Sequence, residues 1–86
     1  MRKTWTDNAW DDYVFWQSQD RKTLKRINAL IKDIERDPDH GIGRAEPLKH
    51  ADEQCWSRRI DEKNRLVYVI DHGTLVILQC RHHYDD

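Results

Sequence analysis

What this chain lacks narrows the field before any motif is read. No apolar run approaches the roughly 20 residues of a membrane span, and the opening MRKTWTDNAW has no hydrophobic stretch of the secretory-leader kind. The expectation is a protein without a membrane partner. Cysteine is scarce: Cys55 and Cys80 are too few for a disulfide scaffold, so reduced thiols and a cytoplasmic location are expected. Net charge is nearly absent, with 15 Lys and Arg against 16 Asp and Glu, a formal −1. A polyanionic partner therefore has to be met by local patches rather than by the whole surface. Repeats and low-complexity segments are missing too. The 86 residues imply one domain over 1–86, burying roughly 60% of its unfolded surface. Its core must be lean, because the hydrophobic fraction is 37% and the charged fraction 36%, so the four tryptophans and three tyrosines carry much of it.

The pattern along the chain predicts an α+β fold. RKTWT reads as a short strand, and Thr6 or Asp7 as the cap of a helix over 7–19 with Trp10, Tyr13, Val14 and Gln17 on one face. Asp20 restarts the pattern. Leu24, Ile27, Leu30, Ile31 and Ile34 form an apolar stripe that Asp37-Pro38 closes. DHGIGR reads as a loop, after which the period changes to two through CWSRRI, NRLVYVI and TLVILQCRHHY. Two N-terminal helices on one face of a small antiparallel sheet are expected. Asp71-His72-Gly73 is read as a three-residue hairpin loop pairing Ile70 with Thr74. That register sets Leu66, Tyr68, Ile70, Val76, Leu78 and Cys80 under the helices. Arg65, Val67, Val69, Ile77, Gln79, Arg81 and His83 then take the opposite face.

The final strand stays polar to its end in CRHHY, and His83 is the side chain able to exchange protons near neutral pH. The plain alternative is a surface histidine at a fraying terminus. Arg65 suits a planar fork of donors around a phosphate, or else a charge that guards a strand edge. Glu46, before Pro47 in RAEPLKH, is a candidate general base or an ordinary loop acid. Lys49, Arg58, Arg59 and Arg81 are the further cations of this region and are expected as RNA contacts. Together these types match metal-independent RNA cleavage. That reaction needs a base for the 2′-OH, a cation for the phosphorane-like charge and an acid for the leaving 5′-oxygen. The residues 21–32 hold Arg21, Lys22, Lys25, Arg26 and Lys32 without an acid, a patch that RNA could occupy or solvent could cover. No metal-ligand quartet is visible, so no cofactor is expected, and Cys80 falls on the core face, where a thiol behaves as a small hydrophobe.

The stretches WTDNAWDDYVFW, EPLKH, WSRRID, NRLVYVI and CRHHY, in this order, resemble the YoeB (Txe) family of the RelE-like toxin superfamily. The resemblance implies a RelE-like, microbial-RNase-like fold and a type II toxin that cuts the codon in the ribosomal A site. It implies neutralisation by a YefM-like antitoxin and operator DNA binding only as the toxin–antitoxin complex, with a homodimer as a further expectation. By motif, Glu46 resembles the general base, Arg65 the transition-state clamp and His83 the general acid, with Tyr84 at the nucleotide and Lys49 and Arg59 on phosphates. The chain differs in ending Asp85-Asp86 after the tyrosine. It also carries Lys63-Asn64 where relatives often have an acid and a histidine. The competing readings are a gyrase-inhibiting binder of the same fold and an inactive relative.

Overall fold

The computed structural model describes residues 1–48 and 55–83. Lys49 and Tyr84, expected at the site, lie outside the described residues. The element order is β1 (Arg2–Trp5), α1 (Asp7–Gln19), α2 (Arg21–Arg36), β2 (Glu46–Pro47), β3 (Cys55–Arg59), β4 (Arg65–Asp71) and β5 (Thr74–Gln79). The helix boundaries follow local chemistry. Thr6 caps α1 through its hydroxyl, accepting from the Ala9 N–H at 3.0 Å. Asp20 closes α1 with its own N–H on Trp16 and opens α2 by accepting from the Lys22 and Thr23 N–H groups. No break longer than one residue separates the helices, because Asp20 serves both ends.

The sheet has the order β1-β5-β4-β3-β2 and is mixed. Three pairings are antiparallel, as expected, while β1 lies parallel to β5, Trp5 opposite Ile77. Parallel neighbours need a crossover, and here nearly the whole chain between β1 and β5 supplies it. Both helices cover one face. Ile27, Leu30, Ile31 and Ile34 of α2 pack with Leu66, Tyr68, Leu75 and Ile77 of the sheet in a single buried cluster. On α1 the buried stripe is Ala9, Asp12 and Trp16 rather than the expected Trp10, Val14 and Gln17. Trp10 is 48% exposed and packs edge-on against Trp5 with centroids 5.8 Å apart.

The hairpin register also differs from expectation. Asp71 pairs with Thr74, so the loop has two residues, His72 (φ 50°) and Gly73 (φ 78°). Positive φ at both central positions matches the turn that follows strand twist in tight hairpins. The one-residue shift carries Leu75 and Ile77 into the core and moves Val76 and Leu78 out of it. A bulge then intervenes, because Tyr68 pairs with Ile77 but Val67 with Gln79, leaving Leu78 unmatched. The second shift restores the original parity. Cys80 is fully buried on the core side, and Gln79 shares a face with Val67.

Arg58 overturns an expectation outright. Read from sequence as an RNA contact, it points under the helices with none of its surface exposed. Its guanidinium donates to Asp33 Oδ2 at 2.7 Å, to the Tyr68 hydroxyl at 3.1 Å and to the carbonyls of Ile42, Asp37 and His40. The Tyr68 hydroxyl in turn donates to the Pro38 carbonyl at 2.6 Å. Gly41 (φ 145°) is required beside this network, since a Cβ there would collide with the Asp33 carboxylate. The hydrogen bond from Arg58 holds the Asp33 carboxyl well below its usual value, at about 2.

Arg58→Met removes at once the donor to Asp33, to the Tyr68 oxygen and to three loop carbonyls, and leaving such groups unsatisfied should cost about 3 kcal/mol or more in urea denaturation. The Asp33 contribution has a defined pH signature. Its folded-state value is lowered from 3.8 to about 2, so its stabilisation is complete above pH 3.8 and lost as pH falls through about 2. The melting-temperature gap between the wild type and Asp33→Asn should therefore close between pH 4 and 2. A constant gap would show that the Asp33 charge contributes nothing.

Candidate active site

The candidate side chains Glu46, Arg59 and Arg65 gather on the sheet face turned away from the helices. Glu46 of β2 is register partner to Ser57 of β3, Ser57 to Val67 of β4, and Val67 to Gln79 of β5. Directly opposed residues project to the same side, so Glu46, Ser57, Val67 and Gln79 form one row across four strands. The next row along begins with Arg59 paired to Arg65. The two arginines share a face, because the ladder runs unbroken from Cys55↔Val69 to Arg59↔Arg65. Glu46 and Arg65 thus stand two strands, about 10 Å, apart laterally and two residues, about 7 Å, apart along the strands. Side chains reaching inward from these positions can bracket a phosphodiester.

The middle of this face is small and dry: Cys55, Ser57 and Val67 are buried. Its margins carry the charge. Glu46 and Arg59 are exposed and Arg65 is half-buried. Arg65 is pre-oriented, with its Nη1 donating to the Asp61 carbonyl at 2.8 Å and to the Asn64 carbonyl at 3.3 Å. Glu46 has a cationic neighbour that the sequence reading missed, Arg44, whose Nε lies 4.0 Å from its carboxylate. The R-x-E spacing was the available signal. Strand β3 is held at its far end by the Arg59 N–H on the Gly43 carbonyl (2.6 Å) and by Arg26 Nη2 on the Arg59 carbonyl (3.0 Å).

The last strand ends earlier than expected, at Gln79, and residues 80–82 bend. His83 follows as an exposed residue one position beyond His82, whose carbonyl accepts from the Arg65 N–H at 3.0 Å. The histidine is thereby delivered to the strand end that carries Arg65. Arg81, expected on RNA, has its guanidinium 3.5 Å above the Phe15 ring, a cation–π contact that directs it to α1. Cys80 is no nucleophile, because burial, with the Asp12 charge adding, pushes its thiol up to about 12. Among the described residues no cluster of three or more His, Cys, Asp or Glu is arranged to hold a metal.

The basic start of α2 divides as well. Arg21 and Lys25 line a groove of about 400 Å³ with Tyr13, Gln17 and Leu24, while Lys22 and Arg26 line another of about 330 Å³ with Thr23, Ile60 and Asp61. The second groove abuts the arginine row through the Arg26–Arg59 bond.

The model of the YoeB-like toxin of bacterial type II toxin–antitoxin systems matches residues 5–84. The chain belongs to that family. The toxin YoeB of Streptomyces coelicolor is 55% identical over 84 residues, covering 98% of this chain and 100% of that one. Among solved structures, the YoeB/ParE toxin from Agrobacterium tumefaciens is 43% identical with a TM-score of 0.93, covering 98% of this chain and 100% of its own. YoeB in the YoeB–YefM complex from Staphylococcus aureus is 38% identical with a TM-score of 0.88, over 98% of each chain. The S. aureus protein has also been solved as a dimer. The matched range includes Glu46, Arg59, Arg65 and His83.

Arg58 and Arg59 are sequence neighbours with opposite environments, and this is directly measurable. In side-chain NMR spectra the Arg58 Nε–H, donating to Tyr68, should exchange with solvent at least tenfold more slowly than that of Arg59. Equal rates would contradict the burial of Arg58.

Proposed function

We propose that this chain is a ribosome-dependent mRNA endonuclease, the toxin of a type II pair, cutting the A-site codon without a metal in the reacting step. The observation that carries the reading is the convergence of Glu46, Arg59 and Arg65 on the helix-free face, with the His82–His83 segment bonded to the Arg65 backbone. Glu46 takes the 2′-OH proton, and the 2′-oxygen attacks the adjacent phosphorus. Arg65, with Arg59 and Lys49 on neighbouring phosphates, stabilises the charge gathering on the non-bridging oxygens. His83 gives its proton to the departing 5′-oxygen as the P–O5′ bond breaks. The products are a 2′,3′-cyclic phosphate and a 5′-hydroxyl. Tyr84 would stack on the unstacked base.

Presentation by the ribosome fits a site whose charged groups stand exposed at the margins of a sheet face. A larger body would hold the codon against Glu46 and Arg59 there. Arg21, Lys22 and Lys25 are exposed along α2 and suit ribosomal RNA, and Arg26 adds charge there while bonded to the Arg59 carbonyl. Work on ribosomes implies the cytoplasm. No helix among the described residues is long and apolar enough to cross a membrane. A YefM-like antitoxin is the proposed partner, as in the S. aureus complex, with operator DNA engaged by the toxin–antitoxin pair. A homodimer is proposed for the free toxin on the same likeness.

A reconstituted translation reaction stalled on a defined codon tests this, with cut sites mapped by primer extension. The wild type should cleave within the A-site codon only when ribosomes are present. Glu46→Gln and His83→Gln should each lower the rate by about 10²–10⁴, and Arg65→Ala by about 10²–10³. Intact mRNA with the wild type would refute the reading and leave a binding toxin, such as a gyrase inhibitor, or an inactive relative.

A further inference from the structure

The approach to His83 is held by side chains where a strand would use its ladder. Past Gln79 each of the next three residues is tied individually. Cys80 has both backbone groups taken by α1, its N–H donating to Asp12 Oδ2 at 3.0 Å and its carbonyl accepting from Trp16 Nε1 at 2.8 Å. The Arg81 carbonyl accepts from Gln79 Nε2 at 3.1 Å while its guanidinium covers Phe15. His82 then sits in the left-handed region, at φ 69°. A side chain with a Cβ occupies that region only when its surroundings hold it there. Here they hold both of its backbone groups: the N–H donates to Asn64 Oδ1 at 2.7 Å and the carbonyl accepts from the Arg65 N–H at 3.0 Å.

Asn64 is itself immobilised. Its Nδ2 donates to both Asp61 carboxylate oxygens at 3.1 Å, and its backbone N–H donates to Asp61 Oδ1 at 2.8 Å. Burial works against the Asp61 charge, but these bonds from Asn64 and the Lys63 N–H outweigh it and hold the carboxyl below its ordinary value. Only one orientation of the Asn64 amide satisfies everything around it, with the nitrogen toward the carboxylate and the oxygen toward the His82 N–H. The side chain is thus a rigid bracket between the 61–64 turn and the residue preceding His83. Because Asn64 also precedes Arg65, one bracket sets the spacing of the clamp arginine and the acid histidine.

We propose that Asn64 is a positioning residue for His83, holding His82 in its left-handed conformation so that the acid stands at the Arg65 end of the site. The proposal rests on the ribonuclease reading above. It assigns a purpose to a position where this chain carries Asn after Lys63, and it places the restraint on the backbone of the tail rather than on the histidine ring. Displacement of a catalytic group by an ångström can cost about 10²-fold in rate. Loss of one bracket among three should cost less.

The test uses Asn64→Ala in the full-length toxin. The backbone bonds of residue 64 to Asp61 and Ile60 do not depend on its side chain, so the fold should persist, as thermal melting will check. The expected result is a roughly tenfold lower kcat for A-site cleavage, with KM changed by less than twofold and His82 amide exchange at least tenfold faster. In a His83→Gln background the same substitution should add no further loss, since Asn64 acts through His83. An unchanged kcat, or an equal additional loss in the His83→Gln background, would overturn the proposal. A His82 amide as protected as in the wild type would also overturn it. If wild-type toxin leaves the mRNA intact, the ribonuclease reading fails. Amide exchange at His82 then still decides, by itself, whether Asn64 holds the tail.

Discussion

A single buried guanidinium organises the half of the molecule that brings Glu46 into place. Arg58 enters the core from β3 and binds the end of α2 through Asp33, the sheet through Tyr68, and the connecting loop through three carbonyls. A buried cation is tolerable only when its donors are all used and its charge is matched, and the loop over 37–42 is shaped to do both. That loop leads through Gly43, bonded to Arg59, into β2 and Glu46. The base of the proposed reaction therefore inherits its position from a polar network on the other side of the sheet. Adjacent residues divide the two faces, since Arg58 points inward to the core and Arg59 outward to the face of the proposed site.

The other half of the site is assembled by different means. His83 lies past the last paired residue, and the polypeptide reaches it through bends held by Asp12, Trp16 and Asn64. Glu46 is thus set by a strand ladder backed by the Arg58–Asp33 pair, whereas the approach to His83 is set by individual side-chain bonds from α1 and the 61–64 turn. In a small domain with a lean core, such bonds carry a role that packing has in larger proteins. They also leave Glu46 and His83 exposed, which suits the proposed substrate, delivered by a larger assembly.

Much of this was legible in the chain. Capping chemistry and the 3.6-residue stripe located both helices, and Glu46, Arg59, Arg65 and His83 were named on residue type and pattern. The hairpin was misread by one residue because His72, which has a Cβ, adopts positive φ beside Gly73, and the three-residue alternative was equally plausible chemically. A compensating bulge at Leu78 preserved the parity beyond it, so Gln79 and Cys80 fell on the expected faces although Val76 and Ile77 did not. Arg58 was misassigned since nothing local distinguishes it from Arg59. Its partners Asp33 and Tyr68 are 25 and 10 residues away.

The sequence by itself determined the class of fold, the extents of the helices and the candidate side chains of the proposed site, because these follow from short-range periodicity, caps and the chemistry of each residue. Tertiary structure alone decided which arginine is buried, that β1 joins the sheet in parallel, and how the tail is steered to Arg65. Each of those outcomes depends on partners distant in the chain, whose contacts form only when the sheet closes against the helices.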